Sequence, residues 1–150
     1  MKQAAMFLWV FAPAIGGCAH SLVLPQSFIP VPADQRQGYD VRAVSPDGVV
    51  LAVRAEQSPA GGSLEFWTQA ARNELEGRGY KLEAKEDVRG DAGRAGRLLS
   101  FSTQREGAEF LYILALYVGP RDILTAQAGG KADLLKPMQA EIRKALLSAR

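Results

Sequence analysis

A single cysteine and a single histidine stand in 150 residues, and that scarcity removes whole classes of chemistry. Nucleophilic triads place a general base, most often a histidine, against Ser, Cys or Thr. His20 sits near the N-terminus, outside the regular patterning described below, and reads as a solvated residue. Zinc sites draw on paired Cys and His ligands, and the chain has no Cys-x-x-Cys. No metal or other cofactor is expected. One cysteine forms no internal disulfide. Charge of one sign is also missing: 18 Lys and Arg face 16 Asp and Glu, for a net charge of +2, and the bases are scattered. Nucleic-acid binding, which needs a basic footprint, is disfavoured. No apolar run reaches the roughly 20 residues of a resident membrane-spanning helix. No internal repeat is visible.

What the chain does have begins at its N-terminus. Met1-Lys2-Gln3 carries positive charge, residues 4–15 are apolar, and Ile15-Gly16-Gly17-Cys18 follows. These are the proportions of a secretory leader closed by small residues. The tetrapeptide resembles a bacterial lipobox, after which the cysteine is lipidated and becomes the mature N-terminus. The resemblance implies a leader over residues 1–17, fatty acylation of Cys18 (palmitate or a similar chain) and attachment to a membrane through that lipid. Ordinary cleavage after Ala19, with Gly17 and Ala19 as the small pair, is the alternative, and an uncleaved anchor is a third. In lipoproteins an Asp after the modified cysteine favours retention in the inner membrane. Ala19 stands there instead, which implies the outer membrane, facing the periplasm.

Removing residues 1–17 from 150 leaves 133, enough for one domain that buries about two-thirds of its unfolded surface. Only Lys2 is lost from the bases, so 17 positive residues face 16 negative ones. Residues 18–38 carry Pro25, Pro30 and Pro32 and read as a proline-rich tether, extended at about 3.1 Å per residue. Leu24, Phe28 and Ile29 are more apolar than a solvated linker needs, so they are expected to pack on the domain as an edge element or to mark a partner contact. The domain itself is expected over 39–150.

Within it, Tyr39 to Val44 alternates, Ser45-Pro46-Asp47-Gly48 is a turn, and Val49 to Glu56 is β-branched and apolar, which predicts a hairpin. Ser63 is placed to cap a helix with Leu64, Trp67, Ala71 and Leu75 on one face, and Gly77-Arg78-Gly79 ends it. Tyr80, Leu82 and Ala84 alternate with charges as a half-exposed strand. A mobile glycine-rich loop, residues 89–96, leads to a strand over 98–103. The run Phe110 to Val118 is apolar on both faces, the mark of a strand covered on both sides. Gly119-Pro120-Arg121-Asp122 turns the chain into Ile123 to Ala128. After Gly129-Gly130 a last helix carries Leu134 or Leu135, Met138, Ile142 and Leu146. The expected order is β-β-α-β-β-β-β-α. Short turns force antiparallel neighbours, so the fold class is α+β: a mainly antiparallel sheet covered by two helices.

Over about 39–148 the chain resembles the PsbP/DcrB-like group of small domains. The resemblance rests on the hairpin with Ser45-Pro46-Asp47-Gly48, Trp67 in the first helix, Gly96-Arg97-Leu98-Leu99-Ser100-Phe101 and Phe110-Leu111-Tyr112, together with element order. It implies a non-enzymatic binding, assembly or accessory protein, with no shared catalytic residues to carry over.

Four candidate sites remain. Arg89, Arg94 and Arg97 surround the glycine-rich loop and form a candidate contact for an anion or acidic partner. The loop leads into a strand, so it is not a phosphate-binding loop, which feeds a helix N-terminus. Trp67 and Tyr112 are candidates for a pocket between sheet and helix or for core. Tyr112 and Tyr117, an odd number apart, point to opposite faces. Glu83, Glu86 and Asp87 lie among lysines and suit an exposed strand better than an acid/base pair. The expectation is a non-catalytic, membrane-anchored envelope protein that binds a protein partner or envelope component. The alternative is a small-ligand carrier or sensor with a pocket under one helix.

Overall fold

A computed structural model of the protein describes residues 20–32, 38–58 and 61–150. The expected leader and Cys18 lie outside the described residues, as does the polar run 33–37.

Strands β2 (Tyr39–Val44) and β3 (Val50–Gln57) form the predicted hairpin. Its turn closes by Gly48 N–H donating to Ser45 O at 3.0 Å, with Gly48 at φ 91°, a conformation that glycine adopts freely. Ser63 caps α1 (Leu64–Gly77) by accepting from Phe66 N–H at 3.1 Å. Then come β4 (Lys81–Arg89), β5 (Ala95–Arg105), β6 (Ala108–Val118) and β7 (Asp122–Lys131). The helices α2 (Ala132–Leu135) and α3 (Gln139–Leu147) follow. A two-residue strand, β1 (Ile29–Pro30), precedes them all. The seven strands form one sheet in the order β1-β2-β3-β7-β6-β5-β4, and every neighbouring pair is antiparallel. The architecture is α+β, with helices on both faces of the sheet.

The two faces differ. Beneath α2 and α3, Leu51, Val53, Ile113, Tyr117 and Leu124 of the sheet meet Leu135, Ile142 and Leu146 in one continuous buried core. Beneath α1 the buried cluster is small: Leu99, Phe101 and Leu114, with Ala71, Leu75, Tyr80, Leu82 and Tyr112 packed against it. Thr68 is the one buried residue of α1, where its hydroxyl donates to Leu64 O at 2.7 Å. β6 is therefore covered on each side, but by unequal layers.

Several expectations need correction. Residues 21–31 do not stand off as a tether. Ser21 and Arg150 exchange backbone hydrogen bonds at 2.7 and 3.2 Å, Leu22 and Leu24 pack on the α3-side core, and Phe28 is buried within it. Ile29 and Pro30 pair with Val44 and Ala43, which is the edge element expected as one of the two readings of Leu24, Phe28 and Ile29. The folded unit thus begins near residue 21, not at 39. Its physical cause is the apolar spacing of Leu22, Leu24 and Phe28, which outweighs the prolines.

Gly129-Gly130 continues β7 instead of breaking it, paired with Val50 and Leu111, and a Cβ at Gly130 would stand 3.1–3.5 Å from Val49. The last helix is split, because Pro137 falls in a 3-10 turn (Lys136–Met138) between α2 and α3. The β4 alternation also fails at Ala84, which is exposed. A register shift between Leu82 and Ala84 inserts one residue, so Leu82 faces α1 whereas Val88, still an even position, faces the α3-side core. Finally, the glycine-rich loop is docked. Asp91 N–H donates to Leu147 O at 2.8 Å, and Gly90 N–H to Arg94 O at 2.9 Å.

Candidate functional site

Because α1 lies over β4, β5 and β6, the cleft-side surfaces of β3 and β7 stay partly uncovered. Antiparallel register sets which residues line that surface: Arg54 opposite Thr125, Ala52 opposite Gln127, and Tyr112 opposite Gly129. Between this floor and α1 runs an open cleft of about 400 Å³. Trp67, Ala71, Glu74 and Arg78 form its helical wall, and Tyr39, Tyr80 and Tyr112 add aromatic surface. A smaller extension of about 170 Å³ continues past Tyr39, Tyr112 and Gln127 toward Ala52 and Gly129.

Tyr39 reaches the cleft through a second irregularity. Register shifts between Tyr39 and Val41, so Tyr39 joins Arg54 on the cleft side while Val41 faces the opposite core. Tyr112 donates its hydroxyl hydrogen to Gln127 Oε1 in a short contact. Its ring meets Tyr80 at 5.8 Å and Phe101 at 6.5 Å, both tilted. The Arg105 guanidinium sits 5.5 Å over the Tyr80 ring. Two ion pairs, Arg54 with Glu56 and Arg78 with Glu74, lie along the rim. Their opposite charges cancel locally, so the site is aromatic and polar without a dominant sign.

Among the residues lining the cleft, Trp67 has a buried Nε1 without a hydrogen-bond partner among the described residues. Gly62, at φ 126°, lets the chain pass directly beside the indole, where any side chain would overlap Nε1. A buried donor without an acceptor carries a real desolvation cost.

Of the residues singled out in the sequence, Trp67 and Tyr112 line this one cleft. The arginines stand elsewhere, each with a partner inside the chain. Arg94 forms a forked pair with Asp122 at 2.9 and 3.0 Å. Arg97 donates to Glu65 at 3.0 Å, and its Nε lies 2.6 Å from Asp87 Oδ1 in a charge contact without hydrogen-bond alignment. Arg89 donates to Gly93 O at 2.7 Å. The carboxylates diverge too: Glu83 accepts from Ser102, Glu86 from Arg143, and Asp87 meets Arg97. The Ser102 hydroxyl holds Glu83 below the usual carboxylate range, the opposite of what a general acid needs. Among the described residues, no three Asp, Glu, His or Cys converge as a cation site.

Tyr39, Gln127, Arg54, Glu56 and Tyr80 were not marked by the sequence. The first depends on a bulge. Gln127, Arg54 and Glu56 depend on a pairing register that alternation does not specify, and Tyr80 on the turn after α1, where its N–H donates to Leu75 O.

Burial also raises the Tyr112 phenol well above its ordinary range, with Tyr39 and Tyr80 adding to the effect. Burial pushes Tyr117 up to about 12, with Asp91 contributing. For both, folding favours the neutral phenol. That stability is fully present below the unfolded value near 10 and is lost as pH rises through the folded value. Urea unfolding should therefore show falling stability from pH 10 to beyond 12. Tyr117→Phe should flatten part of this slope, and a profile identical to the parent would contradict the burial of that hydroxyl.

No family model and no curated protein sequence matches the chain. Solved structures do. LpqN of Mycobacterium tuberculosis, a protein involved in cell envelope biogenesis, superposes with a TM-score of 0.71 at 13% identity, over 90% of this chain and 87% of that one. Cyanobacterial PsbP (CyanoP) from Synechocystis sp. PCC 6803 gives 0.61 at 15% identity, over 88% and 86%. PA94 from Pseudomonas aeruginosa gives 0.59 at 15%, over 89% and 84%. The chain thus has a PsbP-like fold, similar to that of LpqN.

Proposed function

We propose that this chain is a non-catalytic, lipid-anchored envelope protein whose cleft beside α1 holds an envelope component. The observation that carries this reading is the cleft itself, walled by Trp67 and by Tyr39, Tyr80 and Tyr112. On the α3 side a groove of about 340 Å³ lies between residues 23–26 and α3, but its lining has no aromatic side chain. A cleft with aromatic walls and a few polar groups is the usual form of a binding site. The carboxylates are paired apart from one another, which supports binding over acid/base chemistry. The role in cell envelope biogenesis of LpqN, which shares the fold, supports an envelope setting. The lipobox-like Ile15-Gly16-Gly17-Cys18 supports anchoring at the outer membrane, facing the periplasm.

Between the two kinds of occupant, the open cleft favours a small ligand or a short segment over a flat protein interface. An envelope protein partner docking through Arg89, Arg94 and Arg97 is the second reading. It requires those arginines to exchange their internal partners for the acidic groups of the newcomer. Sequence offers a direct probe. The two tryptophans are Trp9 and Trp67, and cleavage of the leader leaves Trp67 alone. Titrating the mature protein with detergent-solubilised envelope extract should shift Trp67 emission to the blue and shield it from acrylamide. Thr125→Trp, which plugs the cleft floor away from the α3-side core, should weaken capture of the same component about tenfold, near 1.4 kcal/mol. Capture at parental strength by this variant, with unchanged melting, would reject the cleft. If the charge reversal of all three arginines abolishes capture instead, the second reading takes its place.

A further inference from the structure

We infer that the domain lies flush on the bilayer with one defined end, the end that carries Ser21, Val23, Phe66 and Arg121, against the phospholipid headgroups. This rests on lipidation of Cys18 and adds an orientation to it.

The first argument is chain length. Ser21 is pinned to the C-terminus by its two backbone hydrogen bonds with Arg150. Leu22, Leu24 and Phe28 hold the following residues to the core. Only Ala19 and His20 separate Cys18 from Ser21. Fully extended, three residue steps span at most about 11 Å. A free tether of twenty residues would instead allow about 60 Å. The headgroup layer itself is about 5–8 Å thick on each side of the hydrocarbon. A lipid on Cys18 therefore brings Ser21 to the membrane surface, and the folded body follows.

The second argument is where the exposed apolar side chains stand. Asp91 N–H to Leu147 O joins the C-terminus of α3 to the β4–β5 turn. Ser58 N–H to Arg121 O, at 2.8 Å, joins the end of β3 to the β6–β7 turn. Arg97 ties the start of α1, through Glu65, to the same end. Three large apolar side chains are conspicuously exposed among the described residues: Val23 at 65%, Phe66 at 58% and Ile29 at 64%. Val23 and Phe66 belong to this end, on opposite faces of the sheet. Ile29 pairs with Val44 at the other end. Exposed Arg121 adds a cation suited to lipid phosphate. The opposite end carries the turns at Asp47 and at Glu106-Gly107. It lies about 30 Å away, the length of the eleven-residue β6.

The test uses the full chain, processed and lipidated in bacteria. It is reconstituted into vesicles of phosphatidylethanolamine and phosphatidylglycerol containing a headgroup-nitroxide lipid. With Cys18 acylated, an introduced cysteine is the sole free thiol. Fluorophores at Val23→Cys, Phe66→Cys and Arg121→Cys should be quenched about threefold or more over those at Asp47→Cys and Gln104→Cys, given the 30 Å separation. Equal quenching at both ends, in protein that floats with the vesicles, would overturn the orientation while leaving lipidation intact. Protein that fails to float, with an unmodified N-terminus by mass spectrometry, would overturn lipidation and the orientation together.

Discussion

Cys18→Ser is expected to move the protein from the membrane fraction to the soluble periplasm, the largest change any single substitution here should produce. Each buried methylene of an acyl chain contributes about 0.8 kcal/mol, and one myristoyl chain alone gives only marginal, reversible binding. Two or more chains convert that into an anchor with little release. Without them the near end offers the bilayer only Val23, Phe66 and Arg121, beside the exposed carboxylates of Glu65 and Asp91. No helix among the described residues is long and apolar enough to cross a membrane. The contrast should be all but complete on flotation. Because an uncleaved leader would itself hold the variant, a second form with a plain secretory leader ahead of Ala19 belongs beside it. A form with its leader removed and Cys18 replaced that still floats would show that something other than lipid holds the chain. Loss of the anchor should also weaken capture of a membrane-resident component, since surface confinement raises effective concentration. Binding to a soluble form of that component should be unchanged.

Much of this architecture was legible because the chain punctuates itself plainly. Ser45-Pro46-Asp47-Gly48, Ser63 and Gly119-Pro120-Arg121-Asp122 mark where elements begin and end, and their chemistry is local. The doubly apolar run of β6 announced cover on both faces. What alternation did not reveal is anything that depends on an inserted residue or on a competing long-range contact. The bulge beside Glu83 turns β4 over midway, and the irregularity at Asp40 swings Tyr39 into the cleft. Neither position carries a glycine or proline to mark it. Residues 21–31 were legible in part: their apolar side chains pointed to an edge element, while their prolines suggested a tether. Pro25 and Pro30 favour extended backbone, and an edge strand at the rim of a sheet is also extended. Leu22, Leu24 and Phe28, the last at 5% exposure, decide between a linker and a folded margin. For the site, Trp67 and Tyr112 were visible as residue types in suitable elements. Gln127 and Arg54 were not, because their place in the floor follows from the pairing of β3 with β7, two strands 70 residues apart in the chain.

Gly96→Val should destabilise the domain by more than its modest chemistry suggests, and it tests the register on which the α3-side core depends. Gly96 pairs with Tyr117 and Val88 across its two neighbouring strands. A Cβ there would stand 2.6 and 2.7 Å from two atoms of the Tyr117 ring and 2.9 Å from Leu116 O. The ring has no room to retreat. Tyr117 is 1% exposed, and its hydroxyl donates to Leu146 O at 3.0 Å. The glycine's φ is not positive, so the cost is steric and not conformational. Overpacking of a well-filled core costs about 1–3 kcal/mol, and the two further methyls of valine place this variant at the upper end. For a domain of this size about 3 kcal/mol lowers Tm by about 10 °C. Tyr117→Ala alone should cost about 3–5 kcal/mol through the cavity it leaves. Combined, the two should cost clearly less than their sum, since valine then enters space the ring has vacated. Thermal melts of the parent, both single variants and the double variant supply the four values required. Additive losses would mean that Gly96 and Tyr117 do not touch. The pairing of β5 with β6, and the docking of α3 over it, would then have to be redrawn.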